Sequence, residues 1–165
     1  LYAGIMIDTN NFLTKTGVRT FEAAAFLRRC GADVTRVRKM FREHVEDYRA
    51  KGEAIRNAEL FREYFAISVC PSEGLDSPTV VGAQAANELL NIIGVKASFV
   101  LTDYRNTIYI SARSIDEINV QIVMERLGGG GHLNIAGAQL EHYSVAEAKD
   151  VLKQTLQKML DEGDI

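Results

Sequence analysis

Apolar positions repeat first at helical spacing, then at strand spacing, then at each in turn, and the change of period divides the chain. Near the start, Phe21, Ala24, Ala25 and Leu27 lie at steps that bring them to one side of a helix. Thr20 stands in the place of a cap and Cys30-Gly31 in the place of a stop, so a helix is predicted from Thr20 to about Arg29. Val34, Val37, Phe41, Val45, Tyr48 and Ile55 continue near helical spacing, which predicts one long helix over roughly 34–57. Its other side carries Arg36, Arg38, Lys39, Arg42, Glu43, Glu46, Asp47, Arg49 and Lys51, which read as a solvated face with i,i+4 pairs.

Beyond this helix the period shortens. Residues 64–70 read as a strand and Pro71 to Pro78 as a turn-rich loop. A helix is predicted over 80–93, with Val81, Ala85, Leu89 and Ile92 on one face. Residues 96–102 and 107–112 read as strands joined by a hairpin at Asp103-Tyr104-Arg105-Asn106. A further helix carries Ile118, Ile122, Val123 and Leu127, and the apolar run Ile135 to Leu140 reads as a strand. Ser144 and Glu147 have the spacing of a capping box, opening a last helix to about Leu160. The second region is therefore β-α-β-β-α-β-α, an α/β (α+β) arrangement in which a small mixed sheet is flanked by helices. The division is expected near residue 58, giving a helical region 1–57 and a sheet region 58–165. No internal repeat is visible.

Composition narrows the partners. With 47% hydrophobic and 25% charged residues, the chain of 165 residues has an ordinary globular balance. Its net charge of −3 argues against broad electrostatic binding of long nucleic acid, so a phosphate ligand has to be held by a local cluster. Cys30 and Cys70 have neither paired nor metal-type spacing, which points to reduced thiols. No stretch reaches the length of a membrane span. The chain opens on Leu1-Tyr2-Ala3-Gly4-Ile5-Met6-Ile7-Asp8 without methionine, and we read this as the end of an element that begins upstream.

Candidate chemistry centres on Gly128-Gly129-Gly130-Gly131-His132. Glycine loses more backbone entropy on folding than any other residue, so four together suggest that the backbone itself is used. Such a loop can turn N–H groups toward an anion, and His132 adds a donor. A helix cap followed by a hairpin connection accounts for the same residues, and His132 is equally compatible with a turn role. Arg113, at the end of a predicted strand, is the natural electrostatic partner for a phosphate, although exposed arginines are common there. In Asp8-Thr9-Asn10-Asn11, the carboxylate suits either a divalent cation or a cap. No other acidic residue or histidine falls in metal-ligand spacing with it. His44 and His142 read as structural.

Taken together, these residues resemble a known family. Gly128 to His132 followed by Ala136-Gly137-Ala138 is similar to the signature of the DHH-associated domain, the C-terminal half of DHH-family phosphoesterases. Ile108-Tyr109-Ile110-Ser111-Ala112-Arg113-Ser114 resembles that family's strand into the substrate cleft, and Ile118 to Leu127 its approach to the glycines. Gly4 to Phe12 resembles the last metal-binding motif of the preceding DHH domain. The resemblance covers nearly the whole chain and is closest to the membrane-anchored cyclic di-AMP phosphodiesterases. The glycine-histidine signature by itself also occurs in oligoribonucleases, RecJ-type exonucleases and alanyl-tRNA synthetase.

The resemblance implies residues 1–57 as the remnant of a DHH domain and 58–165 as the substrate-binding DHH-associated domain. It implies Asp8 as a manganese ligand, Gly129, Gly130, Gly131 and His132 as the phosphate-gripping loop, and Arg113 as a cleft arginine. In the family two Mn2+ ions activate a water for attack on phosphorus. The Asp-His-His motif is absent here, so the chain is expected to be inactive alone and to bind no metal. Its implied partners are a cyclic dinucleotide or a short oligoribonucleotide, the missing N-terminal DHH domain, and a second copy in a homodimer. The implied setting is a cytoplasmic domain of a signalling hydrolase anchored in the membrane. Two other readings fit: part of an oligoribonucleotide hydrolase, and a non-catalytic nucleotide- or RNA-binding module. A purely structural dimerisation module is a third.

Overall fold

Where the sequence predicts one helix over 34–57, the chain makes two. In the computed structural model, which describes all residues Leu1–Ile165, α3 spans Val34–Met40 and the chain unwinds before α4, Val45–Arg56. His44 has extended backbone (φ −68°, ψ 153°) and caps α4, placing Glu46 and Asp47 in its first turn. Carboxylates there complement the positive end of the helix, which favours a start at this point. The apolar stripe that suggested continuity has little to pack on, since Phe41 and Val45 remain 39% and 54% exposed.

Two compact units make up the chain, Leu1–Glu43 and His44–Ile165. The first holds α1 (Tyr2–Asp8), α2 (Val18–Arg29) and α3. Its α2 starts earlier than predicted: Gly17 is the cap, and Thr20 lies three residues in, its hydroxyl accepting the Gly17 N–H at 3.2 Å. The Phe12 ring stacks on Phe21 at 5.6 Å and meets Tyr2 edge-on at 6.3 Å.

The second unit contains α4 as well as the sheet, because Ala50 and Ala54 are buried against α5 and the sheet. Its elements are β1 (Glu59–Phe61), β2 (Phe65–Cys70), α5 (Pro78–Leu89), β3 (Ala97–Tyr104), β4 (Thr107–Ser114), α6 (Val120–Arg126), β5 (Gly130–His132), β6 (Ile135–Glu141) and α7 (Val145–Glu162). The strand order is β1-β2-β3-β4-β6-β5, with β2 and β3 parallel and the other neighbours antiparallel. The mixed sheet flanked by helices is thus as expected, with two three-residue edge strands added. Such short strands carry no readable period. Glu59 on β1 forms ion pairs with Lys149 and Lys153 of α7 at 2.9 and 2.8 Å. Partial burial pushes its carboxyl up, but the two ammonium groups outweigh this and hold it below the usual range. The capping box of α7 forms as predicted, Ser144 Oγ accepting the Glu147 N–H and Glu147 accepting the Ser144 N–H. No helix is long and apolar enough to cross a membrane.

The sheet is covered unevenly. On one side, Phe65, Phe99, Leu101, Ile108, Ile110 and Ala138 pack against α6 and α7 through Met124, Leu152 and Leu156. On the other, α4 and α5 cover Ala66, Cys70 and Val100 of β2 and β3. Strand β3 is buried on both faces over its first six residues, whereas β4 alternates buried and half-buried throughout. Strand β6 alternates too, its outward positions half-buried or exposed. The α5 side of β4, β6 and β5 is therefore open.

Within the covered region, burial pushes the Cys70 thiol up to about 11, with the Glu53 carboxylate adding to the effect. A thiol whose folded pKa is raised favours folding below its unfolded pKa, and that contribution is lost as pH rises toward the folded value. Unfolding free energy is therefore expected to fall by about 2 kcal/mol between pH 9 and 11 through this group alone. Urea titrations of the native chain and Cys70→Ala across that window check this; the variant should lack that part of the alkaline loss.

Candidate functional site

Register decides which side chains share the open face. In antiparallel pairs, residues directly opposite lie on the same side of the sheet. Arg113 pairs with Ile135, and Ile135 with His132; Ser111 pairs with Gly137, and Gly137 with Gly130; Tyr109 pairs with Gln139. All belong to the face on which Ser98, opposite Arg113, reaches α5 by donating its hydroxyl to the Ala86 carbonyl at 2.6 Å. A cleft of about 540 Å³ opens there, its walls formed by Thr79, Tyr109, Ser111, Gly130, Gly137 and Gln139 among others. Thr79 lies in the first turn of α5, whose dipole favours an anion, although Pro78 carries no N–H and Val80 and Val81 donate theirs to the Ser77 carbonyl.

The four glycines divide into distinct tasks. Gly128 has φ +79° and follows α6 directly. Its N–H reaches the Glu125 carbonyl at 3.0 Å, and the Gly129 N–H reaches the Met124 carbonyl at 2.8 Å. This pair of hydrogen bonds around a left-handed residue is the Schellman stop of a helix. The N–H groups of Gly128 and Gly129 are thereby committed to α6 and are not turned toward a ligand. A Cβ on Gly129 would lie 2.1 Å from the Gly137 carbonyl oxygen, and one on Gly131 2.5 Å from Ala136 Cα. Gly130 to His132 then form β5, where a loop was predicted. Gly130 alone is free of such demands: its Cβ position faces open space and it borders the cleft.

His132 is exposed at the end of β5, and the turn that follows it is held firmly. Val120 N–H donates to the Leu133 carbonyl and Ser114 N–H to the Asn134 carbonyl, at 3.0 and 3.1 Å. Ser114 Oγ reaches Asn134 Oδ1 at 3.3 Å, and Asn134 Nδ2 donates to Asp116. Arg113 stands on the same face as His132, two strands away, which is roughly 10 Å across a sheet. Its guanidinium leans toward α5, where Nε donates to Asn87 Oδ1 at 3.0 Å and Nη1 to the Ala112 carbonyl at 2.9 Å. Burial lowers its pKa from the usual arginine value. Arg113 and His132 thus occupy the row beyond the cleft's walls. Sequence reading missed Tyr109, Gln139 and Thr79 as wall residues.

Asp8 belongs to the other unit, exposed at the C-terminal end of α1. The neighbouring Thr9 is buried, donating to the Ile5 carbonyl at 2.6 Å and accepting the Phe12 N–H at 3.0 Å. No group of three or more His, Cys, Asp or Glu side chains in the chain could hold a metal ion. The residues present therefore do not by themselves fit a two-metal centre. His44 caps α4 and His142 sits in a left-handed turn after β6, both consistent with structural roles.

This fold has a family. The DHHA1 domain model matches residues 64–160, and the chain belongs to that family. It is 42% identical over 164 residues to the cyclic-di-AMP phosphodiesterase GdpP of Geobacillus thermodenitrificans, a match covering 99% of this chain and 25% of that protein. It is likewise 42% identical over 153 residues to the cyclic-di-AMP phosphodiesterase PdeA of Listeria monocytogenes, covering 92% of this chain and 23% of that protein. The chain thus spans about a quarter of the length of these curated relatives. In fold it is similar to the crystal structure of an exopolyphosphatase-related protein from Bacteroides fragilis, with TM-score 0.83 and 23% identity over 94% of this chain and 48% of that one.

Proposed function

We propose that the chain is the substrate-gripping part of a phosphodiesterase that opens cyclic di-AMP to linear pApA. The observation that carries this reading is Gly130. No packing demands a glycine there, yet its missing side chain leaves the cleft floor bare beside Gly137. A bare backbone floor lets a phosphodiester approach closely, with the Gly130 to His132 segment beneath it. Gly129 and Gly131 serve by bringing β5 against β6, and His132 and Arg113 supply donors from the adjacent row. The 42% identity to cyclic-di-AMP phosphodiesterases over nearly the full chain supports the same substrate. Manganese belongs to this reading only in the parent protein, where Asp8 would contribute one ligand and a DHH domain the rest.

Calorimetric titration of the chain with cyclic di-AMP and pApA tests the gripping role. Charge-assisted hydrogen bonds of the kind Arg113 offers are worth enough that Arg113→Ala is expected to weaken pApA about ten-fold or more. If Arg113→Ala combined with His132→Ala leaves affinity unchanged, this face is structural and the reading falls. The chain alone, supplied with manganese, is expected to turn over neither nucleotide. A parent that hydrolyses only the linear dinucleotide would instead be an oligoribonucleotide hydrolase.

A further inference from the structure

On the open face, the row farther from His132 has different chemistry. Tyr109 and Gln139, paired across β4 and β6, both line the cleft. Directly opposite residues have Cβ atoms about 5 Å apart, so the amide of Gln139 lies within reach of the rim of the Tyr109 ring. Beside Tyr109 stands Tyr104, ring centres 6.4 Å apart at 51°, and the Arg105 guanidinium lies 4.9 Å over Tyr104. The hairpin tip that carries Arg105 and Asn106 turns with φ +53° and +60°. Planar side chains thus stand at and beside the Tyr109–Gln139 row of the cleft, and the bare Gly130–Gly137 pair forms the neighbouring row.

Two residues separate the Ser111–Gly137–Gly130 row from the Tyr109–Gln139 row along each strand. That is roughly 7 Å, the reach from a phosphate through its ribose to its base. Resting on the proposed phosphate role of the glycine floor, we propose that Tyr109 and Gln139 form a base subsite, Tyr109 stacking a purine and Gln139 reading it as adenine. A carboxamide presents one donor and one acceptor side by side. On the N7 edge adenine answers with N7 as acceptor and the N6 amine as donor, whereas guanine presents two acceptors there, N7 and O6. A purine that turns its N7 edge to Gln139 is therefore favoured as adenine, for a reason located in one side chain.

The test titrates the chain with pApA, pGpG and ribose 5-phosphate, following amide shifts by NMR. Wild type is expected to bind pApA about ten-fold more tightly than pGpG, the scale of one bidentate base contact. Tyr109→Leu should weaken pApA about ten-fold and ribose 5-phosphate less than two-fold, while Tyr109→Phe retains nearly full affinity. Gln139→Arg, which replaces the amide by two donors, should move the preference toward pGpG. Gln139 is exposed, so this swap spares the fold and reads specificity directly. Equal weakening of pApA and ribose 5-phosphate by Tyr109→Leu would overturn stacking, and an unmoved pApA-to-pGpG ratio in Gln139→Arg would overturn base reading. Either result leaves the phosphate role standing. Failure of wild type to bind any of the three probes removes that role, and the subsite with it.

Discussion

Gly130→Val is expected to fold like the native chain and to lose pApA affinity by roughly 100-fold, about 2.7 kcal/mol. The side chain has room in the folded protein, since nothing lies within 4 Å of the added Cβ. Valine also suits a strand better than glycine does. The same side chain projects into the cleft, over the one part of its floor that carries no side chain on either paired strand. Thermal unfolding should consequently shift by no more than about 2 °C, the range of a tolerated surface change. Titration with pApA then reports the steric block alone. Retained affinity would mean that the ligand rests elsewhere, and the proposed function would lose its main support.

One residue earlier the same small change has the opposite signature. Gly129→Ala is expected to destabilise the second unit by about 3 kcal/mol, lowering its melting temperature by roughly 6–12 °C. The added methyl would sit 2.1 Å from the Gly137 carbonyl oxygen and 2.7 Å from Ala138 Cα, which are backbone atoms of β6. A flexible side chain could rotate away, but here the strand itself has to move, and with it the contact between α6 and β6. Gly131→Ala belongs with it, because that residue combines φ +150° with a 2.5 Å approach to Ala136 Cα. Calorimetry of the three variants side by side checks the division of labour. If Gly129→Ala melts with Gly130→Val, the close approach of β5 to β6 is less strict than the geometry implies.

Much of the fold is legible in the order of residues alone. Strands β2, β3, β4 and β6 and helices α5, α6 and α7 follow from period, since each buries an apolar face long enough to count. The break between α3 and α4 does not, because apolar spacing runs through it while the side chains it marks stay exposed. Within the site, the alternation of Thr107, Tyr109, Ser111 and Arg113 with Ile108, Ile110 and Ala112 already describes a strand with one wet face. What it leaves open is where that face looks. Only the position of α5 over β2 and β3 turns the polar side of β4 into a cleft wall and adds Thr79 to it. The glycines illustrate the same limit. Identical letters end a helix at Gly128, admit a neighbouring strand at Gly129 and Gly131, and keep space empty at Gly130.

The brevity of β5 bears on solubility as well as on binding. A sheet's last strand presents unpaired backbone groups to any other extended chain and can seed edge-to-edge aggregation. Here that border is three residues long, two of them glycine, and it ends in the exposed imidazole-bearing His132. So little ladder, with almost no side-chain grip, is a poor template for a foreign strand. The composition that bares the cleft floor also blunts this edge of the sheet.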